Sequence, residues 1–140
     1  MMVGCGEDAK KEAVQEDETK NESAITLGEN FTVPDLNLDM LWVKHGTFTM
    51  GSPKSEAKRN EDEIQHQVTL TKGFYLGKYE VTQAQYQVAM GSNPSRSTKN
   101  PDCPVDNVSE PDALQFCIRV SEIANVEARL PTEAEWEYAS

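Results

Sequence analysis

Apolar side chains are sparse across residues 6 to 30, a run dominated by Glu, Asp, Lys, Asn, Gln and Ser, and return at regular spacing from Phe31 onward. So polar a stretch cannot bury enough surface to offset the entropy of ordering it. The pattern therefore predicts a disordered acidic linker over residues 1–30 and a folded domain over residues 31–140. Within the domain, Leu41 and Val43, then Phe48 and Met50, alternate with polar neighbours on either side of His45-Gly46. That period of two predicts two short strands joined by a tight turn. Val68 and Leu70 alternate in the same way, and Phe74, Leu76 and Tyr79 carry the pattern on after Gly73. Ser52 to Gln67, charged and weakly patterned, is expected to be a surface loop.

Three helix starts are marked by capping boxes: Thr82 with Gln85, Ser109 with Asp112, and Thr132 with Glu135. Each puts a hydroxyl at the N-cap and an acceptor three positions later, where amides would otherwise lack partners. Val81 is placed to staple onto Tyr86, and the first helix is expected to run to Met90 and stop at Gly91. In the second helix Ala113, Phe116, Cys117, Val120, Ile123 and Ala124 recur at three- and four-residue intervals, one buried stripe on an otherwise polar rod. The third starts at Glu133, and at one and a half turns it is marginal without tertiary support, so the domain is expected to be incomplete at Ser140.

Composition sharpens this picture. A chain of 140 residues suits one domain, and its 37% hydrophobic fraction lies below the roughly 45% of typical soluble domains, with the deficit at the front. A net charge of -11 without clustered Lys or Arg excludes a nucleic-acid binder, because phosphate neutralisation needs such clusters. No apolar run is long enough to span a membrane as a helix. Cys5, Cys103 and Cys117 form neither a CxxC pair nor a zinc spacing. Met2-Val3-Gly4-Cys5-Gly6 looks like the end of a bacterial lipoprotein cleavage box whose charged and apolar signal regions are lost upstream, with the acidic stretch as tether. The alternative is an ordinary cysteine near a disordered start. Membrane attachment is expected only through a lipid on Cys5, which places the protein in the cell envelope or periplasm; a cytoplasmic location is the alternative.

Strand pairs, isolated capped helices and much irregular loop predict an α+β domain. Trp42-Val43-Lys44-His45-Gly46-Thr47-Phe48-Thr49-Met50-Gly51-Ser52 resembles the opening strand segment of the formylglycine-generating-enzyme, or sulfatase-modifying-factor, family. Val68-Thr69-Leu70 with Phe74 through Tyr86 is similar to the next block. Cys103 through Ser109, with Asp112-Ala113 and Phe116-Cys117, is similar to the third, and Arg129 through Tyr138 matches the fourth almost residue for residue. Four blocks in the right order make the resemblance specific. In two places the chain departs from the pattern. His45 stands at a usual glycine, and Glu110-Pro111 replaces a usual tryptophan and its neighbour, a change the first turn of a helix tolerates.

The resemblance implies a loop-rich fold similar to C-type lectins, the chain being the N-terminal part of such a domain. It implies oxidation of a cysteine in a sulfatase precursor to formylglycine, with molecular oxygen and a copper ion on two thiolates, a donor set suited to cuprous copper. It also implies calcium. The ligands of both metals belong to the family's C-terminal half, so neither site is carried onto a residue here, and the chain itself is expected to be inactive. Alternatives are a non-catalytic lectin-like module binding a protein or sugar, or a domain serving another oxidation such as sulfoxide synthesis.

Individual residues have bland readings beside the functional ones. Cys103 and Cys117 are expected as a disulfide, with each other or with a further cysteine, rather than as a copper pair. His45 and His66 lie on separate segments, with no carboxylate spaced to make a ligand set or a catalytic pair. Glu133, Glu135 and Glu137 fit the negative charge that a helix start favours. Trp136 and Tyr138 are expected in the core rather than lining a peptide groove, and Arg129 in a semi-buried ion pair. No catalytic, cofactor-binding or metal-binding residue is assigned.

Overall fold

The computed structural model describes residues 1–6, 25–52 and 64–140. Most of the expected linker, residues 7–24, and most of the expected surface loop, residues 53–63, lie outside the described residues. Seven strands and three helices are described: β1 Gly4–Gly6, β2 Phe31–Val33, β3 Leu38–Val43, β4 Gly46–Met50, β5 His66–Leu70, β6 Phe74–Gly77, α1 Gln83–Met90, α2 Glu110–Ala124, β7 Ala128–Arg129 and α3 Glu133–Ala139. The architecture is mixed, with a five-stranded sheet in the order β2-β3-β6-β1-β7 and a separate two-stranded β4-β5 sheet, every pair antiparallel.

The first strand corrects the expected boundary at residue 31. Residues 4–6 pair with β6 (Cys5 opposite Tyr75) and with β7 (Cys5 opposite Ala128), and Val3 and Cys5 are fully buried. Gly4 permits this insertion, because a Cβ there would meet the Tyr75 carbonyl at 3.1 Å. Cys5, expected either as a lipid-bearing or as an ordinary cysteine, is 1% exposed in mid-sheet. A lipid on its sulfur would require β1 to leave the sheet, so the paired arrangement and lipidation exclude each other.

A second correction concerns β3 and β4. They are not a hairpin: β3 pairs with β6 (Met40 with Gly77 through Val43 with Phe74), whereas β4 pairs with β5 (Gly46 with Leu70 through Met50 with His66). Lys44-His45 carries the chain from one sheet to the other. Alternation identifies strands but not partners, and both strands here find them across longer sequence distances.

The central strand β6 is buried at all four residues because β3 and β1 flank it and both its faces are covered. Tyr75 shows how the polar end of such a residue is satisfied. Its hydroxyl donates to the Thr26 carbonyl and accepts from the Gly28 amide, both at 3.0 Å, and its ring meets Trp42 and Phe31. The helices follow the capping boxes, each formed in both directions. Val81 and Tyr86 are both buried, Gly91 takes a left-handed conformation at the end of α1, and Asn125 does the same for α2. The α2 stripe buries Ala113, Phe116, Cys117 and Val120, and Phe116 stacks on Tyr86 with ring centres 5.5 Å apart.

Candidate functional site

The first and fourth sequence blocks meet in space, although more than eighty positions separate them. β4 carries Gly46, Phe48 and, just beyond it, Gly51; α3 carries Glu137 and Tyr138. Glu137 Oε1 accepts the Gly51 amide hydrogen bond at 2.8 Å. The Tyr138 ring lies 5.2 Å from that of Phe48. Gly46 is the position where the Tyr138 hydroxyl arrives: a Cβ there would collide with that oxygen and sit 3.2 Å from Cζ. Of the two glycines, Gly51 also needs its freedom for a positive φ of 96°.

Behind α3, Arg129 and Glu135 form a two-pronged ion pair at 2.6 and 2.7 Å. Glu135 is buried at 8% exposure and also accepts the Thr132 amide at 2.8 Å, so one carboxylate caps the helix and holds β7. The hydrogen bonds from Arg129 lead the causes that pull the Glu135 carboxyl below the ordinary carboxylate range; in turn Glu135 raises the Arg129 guanidinium. Charge-assisted, geometrically matched pairs of this kind fix orientation as well as adding energy. Among Glu133, Glu135 and Glu137, expected as helix-start charge and, at Glu135, as the capping acceptor, two therefore carry specific tertiary bonds. Helical pattern offered no sign of this, because the partners lie on other elements.

Trp136 departs from expectation. It is 55% exposed rather than packed, since α3 turns Glu135 inward and Tyr138 toward β4. The histidines stay apart: His66 pairs with Met50 at one end of β5, while His45 precedes Gly46 at the other end of the ladder. Gln83 is a functional-looking polar residue that periodicity does not single out. Buried at 4%, it donates to the Ser97 carbonyl and accepts from Asn93, both at 3.0 Å, and so fastens the 93–107 loop to α1. Asp106 is used within that loop, accepting the Arg96 amide.

The three cysteines are free thiols, Cys103 exposed, Cys5 and Cys117 buried, so the expected bridge between Cys103 and Cys117 is absent from this structure. Burial pushes the Cys5 thiol up to about 12, with Cys117 adding to the effect, and pushes Cys117 up to about 11. Cuprous copper takes thiolates, and a catalytic ion also needs an open position for substrate. Two protonated thiols inside an apolar core supply neither, so these residues do not fit the copper pair that the resemblance implies. No group of three His, Cys, Asp or Glu side chains that could hold a metal ion comes together among the described residues.

Comparison with known proteins follows the same motifs. The family model for the sulfatase-modifying factor enzyme 1-like domain matches residues 27–140. A protein from Paenibacillus barcinonensis named Chaperone protein LppX is 34% identical, over 84% of this chain and 49% of that protein. The structure of PvdO from Pseudomonas aeruginosa superposes with a TM-score of 0.70 at 28% identity, covering 82% of this chain and 51% of the other. Treponema denticola variable protein 1, at 23% identity and a TM-score of 0.65, shares the fold over 82% of this chain and 56% of its own. The chain spans about half the length of these relatives.

Proposed function

The chain belongs to the sulfatase-modifying factor enzyme 1-like domain family, and from that premise we propose that its residues build the scaffold of such a domain rather than its oxidative centre. The observation that carries this is the interlock of β4 with α3, set beside thiols that burial keeps protonated. The glycines, aromatics and acids of the motifs are spent on one another: Gly46 on Tyr138, Gly51 on Glu137, Arg129 on Glu135. A lectin-like arrangement of the whole domain, and formylglycine production by the whole protein from a sulfatase cysteine with oxygen and copper, are part of this proposal.

The test is direct. The 140-residue chain, given cuprous copper, oxygen and a cysteine-containing sulfatase-type peptide, is expected to yield no aldehyde product by mass spectrometry. Formylglycine at catalytic yield would overturn the scaffold reading. A second reading, a non-catalytic module that binds polypeptide, is favoured by the relative named as a chaperone. It predicts saturable binding of the same peptide without turnover, read by fluorescence anisotropy, and retained when Cys103 is replaced by Ser.

Envelope residence belongs to the proposal too, supported by the likeness to the Paenibacillus protein named LppX. No helix among the described residues is long and apolar enough to cross a membrane. Recovery of the protein only in the cytoplasmic fraction of its cells would overturn that location.

A further inference from the structure

β1 and α2 each contribute a cysteine to one buried cluster. Across the five-stranded sheet, Trp42, Tyr75, Cys5 and Ala128 stand opposite one another in register, so their side chains share one face. Tyr75, Cys5 and Ala128 belong to the same buried cluster as Cys117, Phe116 and Val120 of α2, which fixes that face as the one covered by the helix. The approach is close. Ser121 Oγ, one turn beyond Cys117, donates to the Cys117 carbonyl at 2.8 Å and accepts the Ala128 amide at 2.9 Å. Ala128 in turn is the direct partner of Cys5. Cys5 and Cys117 thus lie in one buried cluster, linked through Ala128 and Ser121.

We propose that Cys5 and Cys117 are a disulfide-forming pair, a covalent staple between the N-terminal strand and α2 that is present here in its reduced state. The electrostatic influence of Cys117 on the Cys5 thiol is consistent with that proximity. The third cysteine is unsuited to the role: Cys103 is exposed, on the loop whose backbone is tied to α1 through the Gln83 amide. Bridging requires Cβ atoms about 3.5–4.5 Å apart, within reach of two cysteines buried together where α2 covers the sheet.

The chemistry balances with a small-molecule disulfide, such as glutathione disulfide, as electron acceptor. One cysteine thiolate attacks the oxidant's disulfide and releases one thiolate; the second cysteine thiolate attacks the mixed disulfide and releases the other. The chain loses two electrons and two protons, and the oxidant becomes two thiols. Because both sulfurs are protonated and shielded once β1 is seated, oxidation belongs to folding, before the strand docks. Once formed, the bridge is protected by the same burial.

The full chain refolded in a glutathione redox buffer, quenched with an alkylating agent and digested without reduction, tests this. Trypsin leaves Cys103 and Cys117 on one peptide, residues 100–119, so a second cleavage before Asp106 or Asp112 is needed to separate them. The expected result is a cross-linked peptide containing Cys5 and Cys117, with Cys103 alkylated, and a denaturation midpoint that falls when reductant is added. Cys103→Ser should leave both results unchanged. Alkylation of all three cysteines, a bridge containing Cys103, loss of the bridge in Cys103→Ser, or an acyl group on Cys5 in cell-derived protein would each overturn the proposal.

Discussion

Glu135 meets three demands with one carboxylate, capping α3, pairing with Arg129 and tying the helix to β7. Its proton affinity is lowered in the folded chain, so its contribution is complete above the ordinary carboxylate range and fades as pH falls through the depressed value. Glu135→Gln is therefore expected to cost about 1–2 kcal/mol at neutral pH, discounted for the solvent around Arg129, and to flatten the acid side of a urea-midpoint profile. The thiols give the opposite slope. Both are raised from 9.0, so the reduced protein should lose stability progressively as pH climbs from that value toward 11 and 12. A Cys5→Ala, Cys117→Ala double variant should lack this alkaline decline in the same titration. An ion pair for Arg129 could be expected from the sequence; its partner could not, since the capping box that marks Glu135 gives no sign that the same carboxylate also meets Arg129.

At the level of elements, α1, α2 and α3 were legible because caps and apolar spacing are local, and the structure shows each capping box closed. Thr82→Ala should cost about 1 kcal/mol in the same denaturation measurement. Strand partners were not legible, as the separation of β3 from β4 shows. What joins β4 to α3 is a glycine vacancy filled by a phenol, and this too can be measured. Gly46→Ala should destabilise by about 1–3 kcal/mol through crowding against Tyr138. In a Tyr138→Phe background the penalty should shrink, because the hydroxyl is the nearest atom, although Cζ at 3.2 Å keeps it from vanishing. Equal penalties in both backgrounds would mean that the two motifs do not meet.

The whole molecule depends on its first six residues more than their composition indicates. Gly4-Cys5-Gly6 has almost no strand propensity, and its neighbours downstream are charged, so sequence reasoning assigned it to a linker. Its place is set by what surrounds it, two strand edges and the underside of α2. Val3→Asp puts a charge where the side chain is 0% exposed and should cost more than 3 kcal/mol, with faster amide exchange along β6 and β7. A linker residue would tolerate that change within about 0.5 kcal/mol. The order in which the chain is made adds a further consequence. β1 is bordered on one side by Tyr75 and on the other by Ala128, both far along the sequence from Cys5. On the ribosome it must wait, unpaired, until both partners have emerged, and closing loops so wide is slow. Seating of that strand should be a slow step of maturation, an interval in which an assisting protein has much to grasp.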